Sequence, residues 1–279
     1  MPTRARNLFE RIWPPLPVWR RLDATVLAVI VYGIAVTFTT DFFGLRGNLP
    51  RLSSELTVAN AIVISVLLGF RNLQAYDRWW EGRKLWGQLI NESRNLCLKA
   101  VPFGGPAFGD LVAGFAVSLK NHLRGVKELA LVPGFATSEA NPAHVPAYVA
   151  AKLFEAIRDA RKAGAISDCE FLAIDLHAKS LLEICGACER IQSSPVPLSY
   201  RALLRHGTIL YVASAPWFLT GDVGYWSIMI DALMAYFLFG IELTAEDVEE
   251  PFGKDGDDLD LIRFCDIIRA SASQILGRA

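Results

Sequence analysis

Leu56-Thr57-Val58-Ala59-Asn60-Ala61-Ile62-Val63-Ile64-Ser65-Val66-Leu67-Leu68-Gly69-Phe70 runs without a break into Arg71-Asn72-Leu73-Gln74-Ala75-Tyr76-Asp77-Arg78-Trp79-Trp80-Glu81-Gly82-Arg83-Lys84-Leu85-Trp86-Gly87. An oily segment is thus fused to a charged, tryptophan-rich one. Proline removes a helix hydrogen bond and clashes with the preceding turn, and none occurs between Pro50 and Pro102. One long helix is therefore permitted. At 1.5 Å per residue, roughly 20 residues cross the hydrocarbon of a bilayer and the remainder projects beyond it.

Composition points the same way. Of the 279 residues, 52% are hydrophobic, and the mean hydropathy is +0.30. That is too apolar for an ordinary soluble chain and too charged for one wholly embedded in lipid. Net charge is −1, but it is unevenly placed. Arg4, Arg6, Arg11, Arg20 and Arg21 oppose Glu10 alone in residues 1–22, while the acids of residues 242–260 face only Lys254. The five cysteines are an odd number, which argues against a secreted disulfide framework and for a reducing compartment. Trp13-Pro14-Pro15-Leu16-Pro17 stiffens the start, and no small-residue cleavage site follows, so the first apolar stretch reads as a retained span.

Four apolar segments come in two pairs. Ala24–Phe43 and Leu56–Phe70 flank the turn Gly44–Pro50; Leu203–Leu219 and Val223–Leu243 flank Gly221-Asp222. Arginine and lysine concentrate before the first span and after Phe70, whereas the short connections hold only Arg46 and Arg51. The positive-inside rule then places both termini and the 71–200 insert in the cytoplasm. In the insert, Val112, Phe115, Ala116, Leu119 and Leu123 follow helical spacing, as do Val149, Leu153, Ala156, Ile157 and Ala160. Asn141 or His144 lies near the start of the second of these helices. Ser167–Ser194 can form a further helix, with Asp168 at its positive end. No strand pattern occurs, so the expected class is all-α.

Ile62, Val66 and Phe70 fall at i, i+4 and i+8 and form a ridge on one face of the second span. Such a ridge can pack against lipid or a neighbouring helix. Repeated around an axis, it makes apolar rings of the kind that gate pores by dewetting. Asn60 and Ser65 place polar groups in the same span. Asp231 lies mid-span, where an unpaired carboxylate costs roughly 2.5–3.5 kcal/mol on insertion scales; Arg205 or His206 is the expected partner. Cys185 and Cys188 have C-x-x-C spacing, which serves redox pairs and half zinc sites, or lets helices approach closely. A membrane-anchored redox or metal protein built on that pair is the rival reading, and a non-conducting scaffold sensing divalent ions through the acidic segment is another. No phosphate-cradling loop, nucleophile with its base, or basic surface for nucleic acid is present.

Arg71-Asn72…Ala75-Tyr76-Asp77-Arg78-Trp79-Trp80-Glu81…Trp86-Gly87, then Glu189-Arg190-Ile191 with Pro195-Val196-Pro197-Leu198-Ser199-Tyr200, then Glu250-Pro251-Phe252-Gly253 before an acidic run, together resemble the bestrophin family, closest to its prokaryotic members. The resemblance implies a homopentameric channel and no enzyme. Each subunit would supply four membrane helices and a cytosolic helical domain around one axial pore, in a bacterial inner membrane. The implied organisation is a cytosolic segment 1–22, membrane helices in 23–76, a cytosolic domain 77–201, membrane helices in 202–244 and a cytosolic segment 245–279. It implies a neck lined by Ile62, Val66 and Phe70, passing small monovalent ions, chloride or another anion, or sodium and potassium. A cytosolic constriction would fall near Leu181 or Leu182. Asp247, Glu250, Asp255 and Asp258 occupy the positions of the calcium clasp of animal members, but Lys254 and Gly256 depart from that pattern. No cofactor is required, and calcium is the one metal the resemblance brings in.

Overall fold

The long helix that the proline spacing permits is present as one element. In a computed structural model, which describes residues 17–48 and 54–277, it runs from Ser54 to Ala100. The described residues form eight α-helices and no strand: α1 Pro17–Phe42, α2 Ser54–Ala100, α3 Pro106–Leu123, α4 Val145–Lys162, α5 Asp168–Ser193, α6 Leu198–Val223, α7 Trp226–Val248 and α8 Leu261–Leu276. Arg4, Arg6, Arg11, the Trp13–Leu16 segment, Pro50 and Arg51 lie outside the described residues.

Two compact units divide the chain between Asp77 and Arg78 and again between Pro195 and Val196. The first gathers α1, the start of α2, α6 and α7, with residues 255–257. Within it α1 packs against α7 and α6, and α6 packs along α7. Two helices, Val18–Phe42 and Trp226–Val248, are long and apolar enough to cross a membrane. Those two are the ones among the described residues; the first residues of Leu56–Phe70 fall outside that comparison, and in α6 Arg201, Arg205 and His206 cluster in the first half. Pro216 lies within α6 without ending it.

The second unit is a helical bundle. Val112, Phe115, Ala116, Leu119 and Leu123 of α3 are all buried, as are Val149, Leu153, Ile157 and Ala160 of α4, with Ala156 partly so. They join Trp86, Leu89 and Leu96 of α2, Ile174, Leu181 and Ile184 of α5, and Phe264 and Ile268 of α8 in one core. Trp86 is stacked on Phe264 at 6.0 Å between ring centres, so it is core rather than an interfacial anchor. Local signals set the helix starts. Ser167 caps α5 reciprocally with Glu170, satisfying two backbone donors. His144 caps α4, its Nδ1 accepting the Ala147 N–H at 3.0 Å.

Candidate functional site

The ridge on α2 is open. Ile62, Val66 and Phe70 are 58%, 50% and 57% exposed, whereas Leu68, Arg71 and Ala75 on the same helix are buried. At 100° per residue the two sets lie on roughly opposite faces. One face of α2 is thus spent on packing within the chain, and the other presents three bulky apolar side chains in line. Asn60 is not part of that ridge: it lines a cavity with Tyr211, Ser214, Phe218 and Asp222.

Immediately after Phe70, Arg71 turns inward. It is fully buried, and its Nη2 donates to Glu249 Oε2 at 2.6 Å. Glu249, also buried, accepts the Val196 N–H at its other oxygen at 2.8 Å. One carboxylate therefore links the base of the ridge, the proline segment and the end of α7. In the second unit Arg78 donates to the carbonyls of Ser194 and Ile191, and Arg190 to Glu81 at 2.8 Å. Gly82 lies where a Cβ would stand 3.1 Å from the Phe252 ring and 3.3 Å from Pro251. Inside the second unit the charged tryptophan block, the Glu-Arg-Ile segment and the Glu-Pro-Phe-Gly turn are thus joined. Their residues hold backbone in place.

Several other expectations are corrected. Leu181 is 0% exposed; a side chain enclosed by its own subunit does not line a pore. Leu182 is half-buried against the same core, and the open apolar side chains of α5 are Leu172 and Leu176, each 64% exposed. Asp231 is fully buried, but neither Arg205 nor His206 bonds it, and neither of its oxygens has a hydrogen-bond partner among the described residues. Arg205 instead approaches Glu246 at 3.1 Å and Glu242 at 3.8 Å. Cys185 and Cys188 are buried free thiols. Burial, with Glu189 nearby, pushes the Cys185 thiol up to about 12, and Cys188 is raised further. A protonated, enclosed thiol is a poor nucleophile.

Among the acids, Asp247 and Asp255 belong to the first unit and Glu250 and Asp258 to the second. Asp258 is turned into its own loop: a Cβ on Gly253 would lie 2.6 Å from Asp258 Oδ2. Among the described residues, the one group of three metal-ligating side chains with converging atoms is His122, His144 and Glu189.

The family described as Bacterial/Fungal Bestrophin protein matches residues 16–274. The chain is a bestrophin. A voltage-dependent anion channel-forming protein of Nostoc is 30% identical over 268 residues, covering 90% of this chain and 85% of the relative. A protein of the same description from Mesorhizobium japonicum is 31% identical over 227 residues, 78% and 74% of the two chains. The crystal structure of a bacterial bestrophin homolog from Klebsiella pneumoniae superposes with a TM-score of 0.84 at 24% identity, over 92% of this chain and 99% of that one. The all-α fold expected from the sequence is the bestrophin fold, and the membership places the protein among membrane channels rather than enzymes.

Proposed function

We propose that this bestrophin forms a homopentameric channel in the bacterial inner membrane, passing small monovalent ions through a neck of Ile62, Val66 and Phe70. The observation that carries the reading is the exposure of those three side chains on the face of α2 opposite its buried stripe. Five such ridges about one axis give three stacked apolar rings, which exclude water until the pore widens. The first half of α2 and α6 complete four spans with α1 and α7, and both termini face the cytoplasm. The names of the relatives favour an anion as the permeant species. A second constriction on the cytoplasmic side falls to Leu172 and Leu176.

Flux from proteoliposomes tests the neck. Ile62→Ala and Phe70→Ala each raise the rate, because a smaller ring is wetted more readily; unchanged flux in both removes the neck from that ridge. Reversal potentials in asymmetric potassium chloride report the sign of the ion. Cross-linking in mild detergent stops at five subunits, and a stable dimer contradicts the axial pore.

A further inference from the structure

His122, His144 and Glu189 come from three separate places in the second unit: the end of α3, the cap of α4 and the last turns of α5. Glu189 Oε1 accepts from His122 Nε2 at 2.7 Å and from His144 Nε2 at 2.6 Å, and the two imidazoles stand 4.6 Å apart at a 48° tilt. All three side chains keep an opening to solvent, at 21%, 39% and 35% exposure. We infer that this triad is a binding site for a divalent transition metal, of which zinc fits the donor set best.

Two imidazole nitrogens and one carboxylate, with a solvent-facing fourth position, are a donor set that zinc accepts. Zinc bonds of about 2.0–2.2 Å in a tetrahedron place ligand atoms roughly 3.4 Å apart. Glu189 Oε1, at 2.7 and 2.6 Å from the two nitrogens, must draw back from each by less than about an ångström, while the nitrogens, within 4.8 Å of one another, close by up to about 1.4 Å. Side-chain rotation supplies that. His144 sets the cost. Its Nδ1 accepts the Ala147 N–H, so the ring proton sits on Nε2 in the metal-free protein. An imidazole that ligates through Nε2 carries its proton on Nδ1, so binding forfeits the α4 cap bond. Metal binding and loosening of the first turn of α4 are therefore coupled, and the occupied site joins α3, α4 and α5 through one ion.

The test uses the full-length protein in detergent, with any affinity tag removed, and zinc or cobalt ions as probes. Equilibrium dialysis with elemental analysis should find one zinc per chain. Loss of a partner that merely orients a ligand weakens metal sites about 10–100-fold, so His122→Gln and Glu189→Gln should each weaken binding by at least about tenfold. His177→Gln, at a histidine paired instead with Glu92, should not. Should the triad variants fail to fold, the wild-type protein still decides. Its cobalt form should show the visible bands of a tetrahedral site without a thiolate charge-transfer band, and zinc should speed amide exchange at Ala147. Absence of stoichiometric metal, or a thiolate band marking Cys185 and Cys188, overturns the assignment. The outcome is independent of ion conduction, so it stands or falls apart from the neck.

Discussion

Replacing Arg71 with methionine removes the buried guanidinium that donates to Glu249 Oε2, while the Val196 N–H still bonds the other oxygen. The guanidinium is fully buried, and Glu249 is 2% exposed, so water cannot substitute for the lost partner. Breaking such a pair from one side costs roughly 3–5 kcal/mol, because the remaining charge stays desolvated. A chain of this size loses about 2–4 °C per kcal/mol, so the unfolding midpoint should fall by about 6–20 °C. Glu249→Gln strands Arg71 instead, and should cost a similar amount. The double variant Arg71→Met/Glu249→Gln removes both charges, and should recover most of the loss, giving a coupling energy above about 1 kcal/mol. Glu250→Gln, one residue away but exposed, should stay within about 0.5 kcal/mol of the parent. Thermal unfolding of purified protein in one detergent, followed by near-ultraviolet circular dichroism, reads all four. A shift below about 2 °C for Arg71→Met would falsify the claim that this ion pair fixes the base of the ridge.

Gly82→Ala should cost about 1–3 kcal/mol, because the new methyl meets the Phe252 ring and Pro251; a neutral result in the same melts means that the turn retreats freely. The buried thiols predict alkaline weakness. Cys97 and Cys265 are raised to about 11 and Cys185 to about 12 from an ordinary value of 9.0, chiefly by burial. The folded state therefore holds these protons after the unfolded chain has lost them. Stability from this source is complete below about pH 9 and drains away as pH rises toward 11–12, and Cys97→Ala should flatten that limb of a midpoint-against-pH profile. Exposed Cys169 should react with a maleimide in the folded protein while the four buried cysteines do not, and fast labelling of Cys185 or Cys188 would return thiol chemistry to consideration. Asp231→Asn should raise the unfolding midpoint, since it relieves a buried carboxylate that has no bonded partner among the described residues; a fall would show that the carboxylate is bonded after all.

The continuous α2 was legible because its evidence is local: proline is absent across the segment, and the apolar run meets the charged one without a breaker. The α3 and α4 cores were legible for the same reason, since an apolar side chain every three or four residues has one stable use in a bundle. What escaped is contact between distant residues. Arg71 and Glu249 are 178 positions apart and His122 and Glu189 are 67 apart, and no period in a sequence connects them. His144 was visible as a residue near a helix start. Its second bond, to Glu189, was not.

Asp231 shows the same limit within the membrane part. Sequence order names α6 as the neighbour of α7 but not which residues meet: Arg205 lies 19 residues before Gly224 and Asp231 only 7 after it, so in the hairpin Arg205 meets Glu242 and Glu246 instead. Leu181 is a different case, because the correcting signal was present. Ile174, Ala178, Leu181, Cys185, Cys188 and Ile191 recur at spacings of three and four along α5, and every one of them is buried. If the paired cysteines mark the side on which α5 approaches its neighbours, Leu181, one turn before Cys185, must lie on that side too. Leu172 and Leu176 fall off the stripe, and that is where α5 still has apolar surface to offer another subunit or a pore.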